Sequence, residues 1–267
     1  MEETTIKKFI VLEKNDKANK IVLMICSIVF FIYYCLYIKT GDQISSIILT
    51  GADYKTFTLV FNEYFRLITS AFNHTNLMHY ICNMISLYSL GNYIETLYGT
   101  KKYLICLFSG IILGSLTSGI LSTNFIQCGM STALYSFFII LIMNVIYYKQ
   151  IVGPTFLPIL LLNFSLNLMP SVSWQGHLGG AIAGFIFFYI DYFDKNKEYT
   201  NSNLFKLLLV LSIIVLGVKY YQTKNDIELY PGTDIQYVDY LKDLNFPFLK
   251  DYYNNKIYNY YIKKESL

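Results

Sequence analysis

Three histidines, His74, His79 and His177, are all the imidazoles this chain has, and one apolar stretch between the second and third opens with Gly129-Met130-Ser131. A serine hydroxyl is a weak nucleophile until an adjacent base takes its proton, and imidazole can do that near neutral pH. At a helix N-terminus, Ser131 would also have an unbonded backbone N–H and the positive end of the helix dipole beside it. Tyr135 follows at i+4, on the same helical face, where its ring can hold an imidazole by packing. His79 and Asn83 have the same spacing on another stretch and could donate to an oxyanion developing at an attacked carbonyl. No carboxylate stands ready to orient the histidine, so the chemistry these residues describe is acyl transfer by a serine–histidine dyad. Competing chemistries lack their residues. A zincin site needs HExxH, whereas His74 and His79 are roughly 140° apart around a helix with no acid between them. A serine–lysine dyad needs a lysine within a span, and the only span lysines, Lys206 and Lys219, sit at the ends of the seventh; an aspartyl pair needs two intramembrane aspartates, and spans two to five have none, while Asp191 ends the sixth.

These side chains must be positioned by elements that composition assigns to a membrane. The chain has 267 residues, 54% of them hydrophobic and only 15% charged, against about 25% charged in soluble domains. Its 26 Tyr and 20 Phe suit headgroup belts and apolar spans, and a net charge of +3 gives no case for nucleic acid. Cys26, Cys35, Cys82, Cys106 and Cys128 form no CxxC pair and read as apolar packing residues. Seven spans are expected, at 21–38, 77–93, 103–121, 130–148, 155–170, 176–191 and 204–221, each near the ~20 residues that a bilayer helix needs. The first reads as a retained helix rather than a cleavable leader. Lys7, Lys8, Lys14, Lys17, Lys20, Lys101, Lys102, Lys149, Lys195, Lys197 and Lys206 fall on one side, and Lys39, Lys55 and Arg66 in the opposite loops. Eleven against three puts the N-terminus in the cytoplasm by the positive-inside rule. Spans two, four and six then all begin in the outer leaflet, so His79 with Asn83, Ser131 and His177 share one depth. Polar groups at that depth are costly and mark function by default. Gly176, Gly180 and Gly184 form a smooth stripe beside His177 that would let span six approach span four backbone to backbone, as a short serine–histidine distance requires. Gly110 and Gly114 in span three read as plain membrane packing.

With these residues in place, the stretch from Arg66 to Gly184 resembles the rhomboid family of intramembrane serine proteases. RLITSAFNHTNLMHYICN carries the spaced His74, His79 and Asn83, GNYIETLYG resembles the close of the second span, and GMSTALY supplies Gly129, the nucleophile Ser131 and Tyr135. HLGGAIAG sets His177, Gly180 and Gly184 where the family places its base and its helix-packing glycines. The resemblance implies an all-α polytopic membrane protein with a six-helix catalytic core at 21–191. It implies hydrolysis of peptide bonds in or beside the transmembrane segments of membrane-protein substrates, with no metal or cofactor. A seventh helix, in 192–221, makes the chain similar to the six-plus-one variants. Two positions depart from the family pattern: Phe65 stands where Trp commonly precedes Arg66, and Thr132 where Gly commonly follows the nucleophile. Thr132 is expected to point to the loop side and bond a loop carbonyl. The loop at 40–76 is amphipathic and aromatic; in the family it buttresses the core, and Arg66 and Glu95 could pair across it.

The segments outside the core carry less. Residues 1–20 read as a cytoplasmic N-terminal segment, and 222–267 as an external Tyr-rich tail with a turn at Pro231-Gly232 and a short amphipathic helix ended by Pro247. The tail could cap the active-site mouth or lie at the membrane interface, and no residue in it argues for chemistry. The leading expectation is a multi-pass protease of the cell membrane whose active site faces the outer leaflet. A non-cleaving relative that binds membrane segments is the alternative. A transporter would call for intramembrane charges or an internal repeat, and the sequence offers neither.

Overall fold

The computed structural model describes residues 17–122, 126–149, 158, 173–226 and 231–265. Helix α1, Lys17–Thr40, fills the first apolar stretch and ends at Gly41, whose φ of +73° takes the chain out of the helix. The loop after it is built rather than slack. A short helix α2, Gln43–Leu49, is capped by Asp42, which accepts from the Ser45 N–H at 2.9 Å; strand β1, Asp53–Tyr54, a wide turn at Thr56–Val60 and a single turn at Arg66–Thr69 follow.

The second span continues past its expected end at 93. It comprises α3, Leu77–Ser86, a π-helical turn at Leu87–Gly91 and α4, Asn92–Tyr98, and stops at Gly99 with φ +80°. Asn76 caps it by accepting from the His79 N–H at 2.9 Å. The π turn has a partner that explains it. Asn19 of α1 donates to the Leu87 carbonyl at 3.0 Å and to Asn92 at 2.7 Å, and accepts from the Tyr103 hydroxyl at 2.8 Å. A Cβ on Gly91 would stand 2.0 Å from Asn19 Oδ1, so the insertion needs glycine there.

Four further long helices follow: α5, Thr100–Leu121; α6, Ser131–Tyr148; α7, Trp174–Lys195; and α8, Tyr199–Gln222. Strand β2, Ile126–Gln127, precedes α6 and pairs antiparallel with β1, Asp53 opposite Gln127 and Tyr54 opposite Ile126. Helix α7 packs between α5, α6 and α8. The main core joins α1 (Cys26), α4 (Ile94), α5 (Tyr103, Leu107), α6 (Phe137, Ile140) and α7 (Phe188). Helices α1, α5, α6 and α8 are each long and apolar enough to cross a membrane. Helix α8 leaves Leu204, Leu207, Leu211, Ile214 and Val218 exposed, the pattern of a helix whose solvent is lipid. The architecture is that of an all-α membrane protein, a helical core with an added C-terminal span. The fifth expected span, 155–170, lies outside the described residues.

The tail differs from the sequence reading. Pro231-Gly232 opens helix α9, Pro231–Asp243, and Pro247 opens a second helix, α10, Pro247–Glu265, where a helix end was expected. Proline at a first helical position loses no hydrogen bond, because that N–H has no intrahelical partner. Both helices dock on the first loop: Ile48, Tyr54, Phe57 and Phe61 share one buried cluster with Tyr237, Tyr240, Leu241, Tyr253 and Ile257.

Candidate active site

Ser131 is the first residue of α6. Gly129, at φ +120°, turns the chain into the helix, and its N–H bonds the Ser70 carbonyl at 3.0 Å. His177 lies in the first turn of α7, which Ser173 caps by accepting from the Gly176 N–H. The two helix starts bring Ser131 Oγ within 2.8 Å of His177 Nε2. The Tyr135 ring stacks on the imidazole, centroids 4.1 Å apart and planes 6° from parallel, as the i+4 spacing suggested. His177 is only 6% exposed while Ser131 is half-buried, so the imidazole is sheltered and the hydroxyl remains reachable.

Backbone contact between helices sets this distance. A Cβ on Gly180 would lie 2.0 Å from the Thr132 carbonyl oxygen, and one on Gly184 2.3 Å from that of Ser136. Gly110 and Gly114 take part as well, as packing glycines of α5 against α6: a Cβ on Gly110 would meet Ser136 Oγ at 2.8 Å, and one on Gly114 would meet Thr132 Cβ at 2.4 Å. They form the seat on which α6 rests. Thr132 is directed into this seat, its Cγ2 also 3.3 Å from where a Gly176 Cβ would be. The expected hydrogen bond to a loop carbonyl is not made to any described residue. Its hydroxyl is buried with no partner among the described residues, because the close α5–α7 approach takes the side chain away from the loop. The missing family glycine after Ser131 is matched by glycines, Gly114 and Gly176, on the facing helices.

The third wall comes from α3. A Cβ on Gly129 would stand 2.7 Å from His79 Nε2 and 3.8 Å from Ser131 Oγ, so the His79 ring borders Ser131. Thr75 Oγ1 lies 3.4 Å from His79 Nδ1, and the buried His74 ring meets His79 edge to face at 5.0 Å. Asn83 is buried one turn further in; one N–H of its amide goes to the His79 carbonyl at 2.8 Å, which leaves the second.

Two predicted supporting residues are not partners. Arg66 and Glu95 are both buried, but they lie at opposite ends of the second span and do not pair. Arg66 bonds Glu63 at 2.8 Å and the carbonyls of Ile48 and Ala52, organising the first loop. Glu95 accepts the N–H groups of Ala18 and Asn19 at 3.1 and 2.8 Å and the Thr100 hydroxyl at 2.7 Å, satisfying the orphan donors at the start of α1. Sequence reasoning missed the β1–β2 bridge, since a two-residue strand has no periodicity to read.

A rhomboid-domain family model matches residues 62–193, a stretch that contains every one of these site residues. Rhomboid-like protease 3 of Toxoplasma gondii is 25% identical over 74% of this chain and 81% of its own length. Rhomboid protease GluP of Bacillus subtilis is 23% identical over 57% of this chain, and the match spans only 31% of that protein. Inactive rhomboid-related protein 2 of Caenorhabditis elegans is 26% identical over 74% of this chain and 61% of its own. A helical membrane fold, the rhomboid-domain match over the stretch that holds the site, and relatives named as rhomboid proteases converge: this chain belongs to the rhomboid family.

Proposed function

We propose that this chain is an intramembrane serine endopeptidase that cuts membrane-protein substrates within or beside their transmembrane segments. The observation that carries the reading is the 2.8 Å contact between Ser131 Oγ and His177 Nε2 under a stacked Tyr135 ring. As Ser131 Oγ attacks a substrate carbonyl, His177 Nε2 takes its proton. The carbonyl oxygen gains the negative charge and receives hydrogen bonds from the free N–H of Asn83, the His79 Nε2–H and the Ser131 backbone N–H. His177 then hands the proton to the departing amine, leaving an acyl-enzyme. Water, deprotonated by the same imidazole, attacks the ester and releases the second product with Ser131 restored. Tyr135 keeps the imidazole plane facing Ser131, the task that a third, hydrogen-bonded group performs in a triad. Eleven basic residues against three support a cytoplasmic N-terminus and a site opening toward the outer leaflet, in reach of single-span substrates in the bilayer.

A second reading is a family member that binds membrane segments without cutting them; a relative bearing the word inactive in its name favours it, and the hydrogen-bonded Ser131–His177 pair stands against it. One experiment separates the two. A fluorophosphonate probe applied in membranes should label the wild type and spare both Ser131→Ala and His177→Ala. Equal labelling of wild type and Ser131→Ala, or no labelling of the wild type, would refute the protease reading.

A further inference from the structure

The tail could have covered the first loop with apolar contacts alone, yet it carries a carboxylate into the interface. Asp234 of α9 is fully buried, and each of its oxygens accepts a tyrosine hydroxyl at 2.7 Å: Oδ1 from Tyr54 of β1 and Oδ2 from Tyr261 of α10. Around it, Tyr253 reaches Glu63 at 3.2 Å, Lys256 donates to the Phe61 carbonyl at 3.1 Å, and Tyr240 bonds Ser46 at 3.0 Å. A buried carboxyl without partners is costly, so the two hydroxyls that satisfy Asp234 hold β1 and α10 in one arrangement with α9. Tyr54 pairs with Ile126 in β2, and only Gln127 to Met130 separate that residue from Ser131. The same loop takes the Gly129 N–H on Ser70, and Gly129 lies against the His79 ring. The tail is therefore linked by an unbroken set of hydrogen bonds and backbone to the turn that presents the nucleophile.

We infer that the C-terminal helix pair positions Ser131, with Asp234 as the positioning residue acting through Tyr54 and the β1–β2 bridge. The inference rests on the protease reading for its consequence, and on the structure for its path. A reacting hydroxyl displaced by about 1 Å loses on the order of 10²-fold in rate, so even a partial loosening of the bridge registers in turnover. Substrate segments approach from the bilayer and do not touch Asp234, so the effect belongs to kcat rather than KM.

The test uses the full-length protein in detergent micelles, with cleavage of a single-span substrate, fluorophosphonate labelling and hydrogen exchange measured in parallel. Asp234→Leu is expected to lower kcat and the labelling rate of Ser131 tenfold or more with KM within twofold, while exchange of the 126–131 amides speeds up. Asp234→Asn keeps an acceptor for Tyr54 and should restore both rates to within threefold of wild type. Tyr54→Phe, which removes only the hydroxyl, should slow both rates in the same direction and add less than twofold on top of Asp234→Leu. The exposed Phe248→Ser on the same tail serves as the control and should change neither rate. Unchanged kcat in Asp234→Leu, or independent effects of Tyr54→Phe and Asp234→Leu, would overturn the proposal. Should the wild type neither cleave nor label, the protease reading fails by itself, and exchange at 126–131 decides the path: faster exchange in Asp234→Leu upholds it, unchanged exchange ends it.

Discussion

Gly180→Ala tests how the dyad distance is held. The added Cβ would lie 2.0 Å from the Thr132 carbonyl oxygen, whereas ordinary contact begins at 3.4 Å, so α6 and α7 must separate there by 3.4 − 2.0 = 1.4 Å. The obstruction is main chain, which cannot rotate away as a side chain could. His177 lies one turn before Gly180 and Ser131 directly before Thr132, so most of that separation passes to the 2.8 Å Ser131–His177 contact. A contact stretched toward 4 Å is no longer a hydrogen bond, and general-base assistance, worth about 10²–10⁴-fold, is lost with it. Cleavage of a single-span substrate by purified Gly180→Ala should fall by about that factor, with the fluorophosphonate labelling rate falling in parallel. Gly217→Ala on α8, where an added Cβ meets nothing within 4 Å, controls for the substitution itself. Cleavage by Gly180→Ala within threefold of wild type would show that backbone contact between α6 and α7 does not set the dyad.

Asn83→Ala should slow cleavage by ~10²–10³ without abolishing it, because His79 and the Ser131 amide still face the oxyanion; a rate equal to wild type would make Asn83 a packing residue. Thr132→Val keeps the shape that fills the Gly114 seat and removes a buried hydroxyl without a partner among the described residues, so thermal stability in micelles should rise by about 1 kcal/mol with cleavage within tenfold. A lower Tm would mean that the hydroxyl has a partner. Asp234 gives a pH signature. Burial raises its carboxyl above the ordinary value of 3.8, and the hydroxyls of Tyr54 and Tyr261 lower it only in part. The docked tail thus holds a proton more tightly than the free tail does, and its contribution is full below pH 3.8 and declines as pH climbs toward the raised value. Tyr260 is the further titratable group that senses Asp234. Asp234→Asn should flatten this decline, so its stability advantage over wild type grows as pH rises from 3.8 through the raised value; an advantage independent of pH would refute the assignment.

Sequence alone located the described spans to within a few residues, apart from the second, because span length answers to one local demand, the thickness of apolar solvent to be crossed. It also singled out Ser131, His177, Tyr135, His79 and Asn83 as candidates, since uncommon polar types at helix starts and i, i+4 spacing within one helix are both written locally. What it could not give were partnerships between distant elements. Glu95 was expected to meet Arg66, but its position near the close of the second span puts it beside the first turn of α1, 76 residues earlier, where open N–H groups await a carboxylate. Thr132 was expected to face the loop, but its side chain lies against Gly114 on another helix. The tail gave no sign of chemistry, because Asp234 and Tyr54 are 180 residues apart and are joined only by docking. Local periodicity and solvent preference fix where each helix runs; the distances between helices depend on which side chains are small enough, at the crossing, to let two backbones touch.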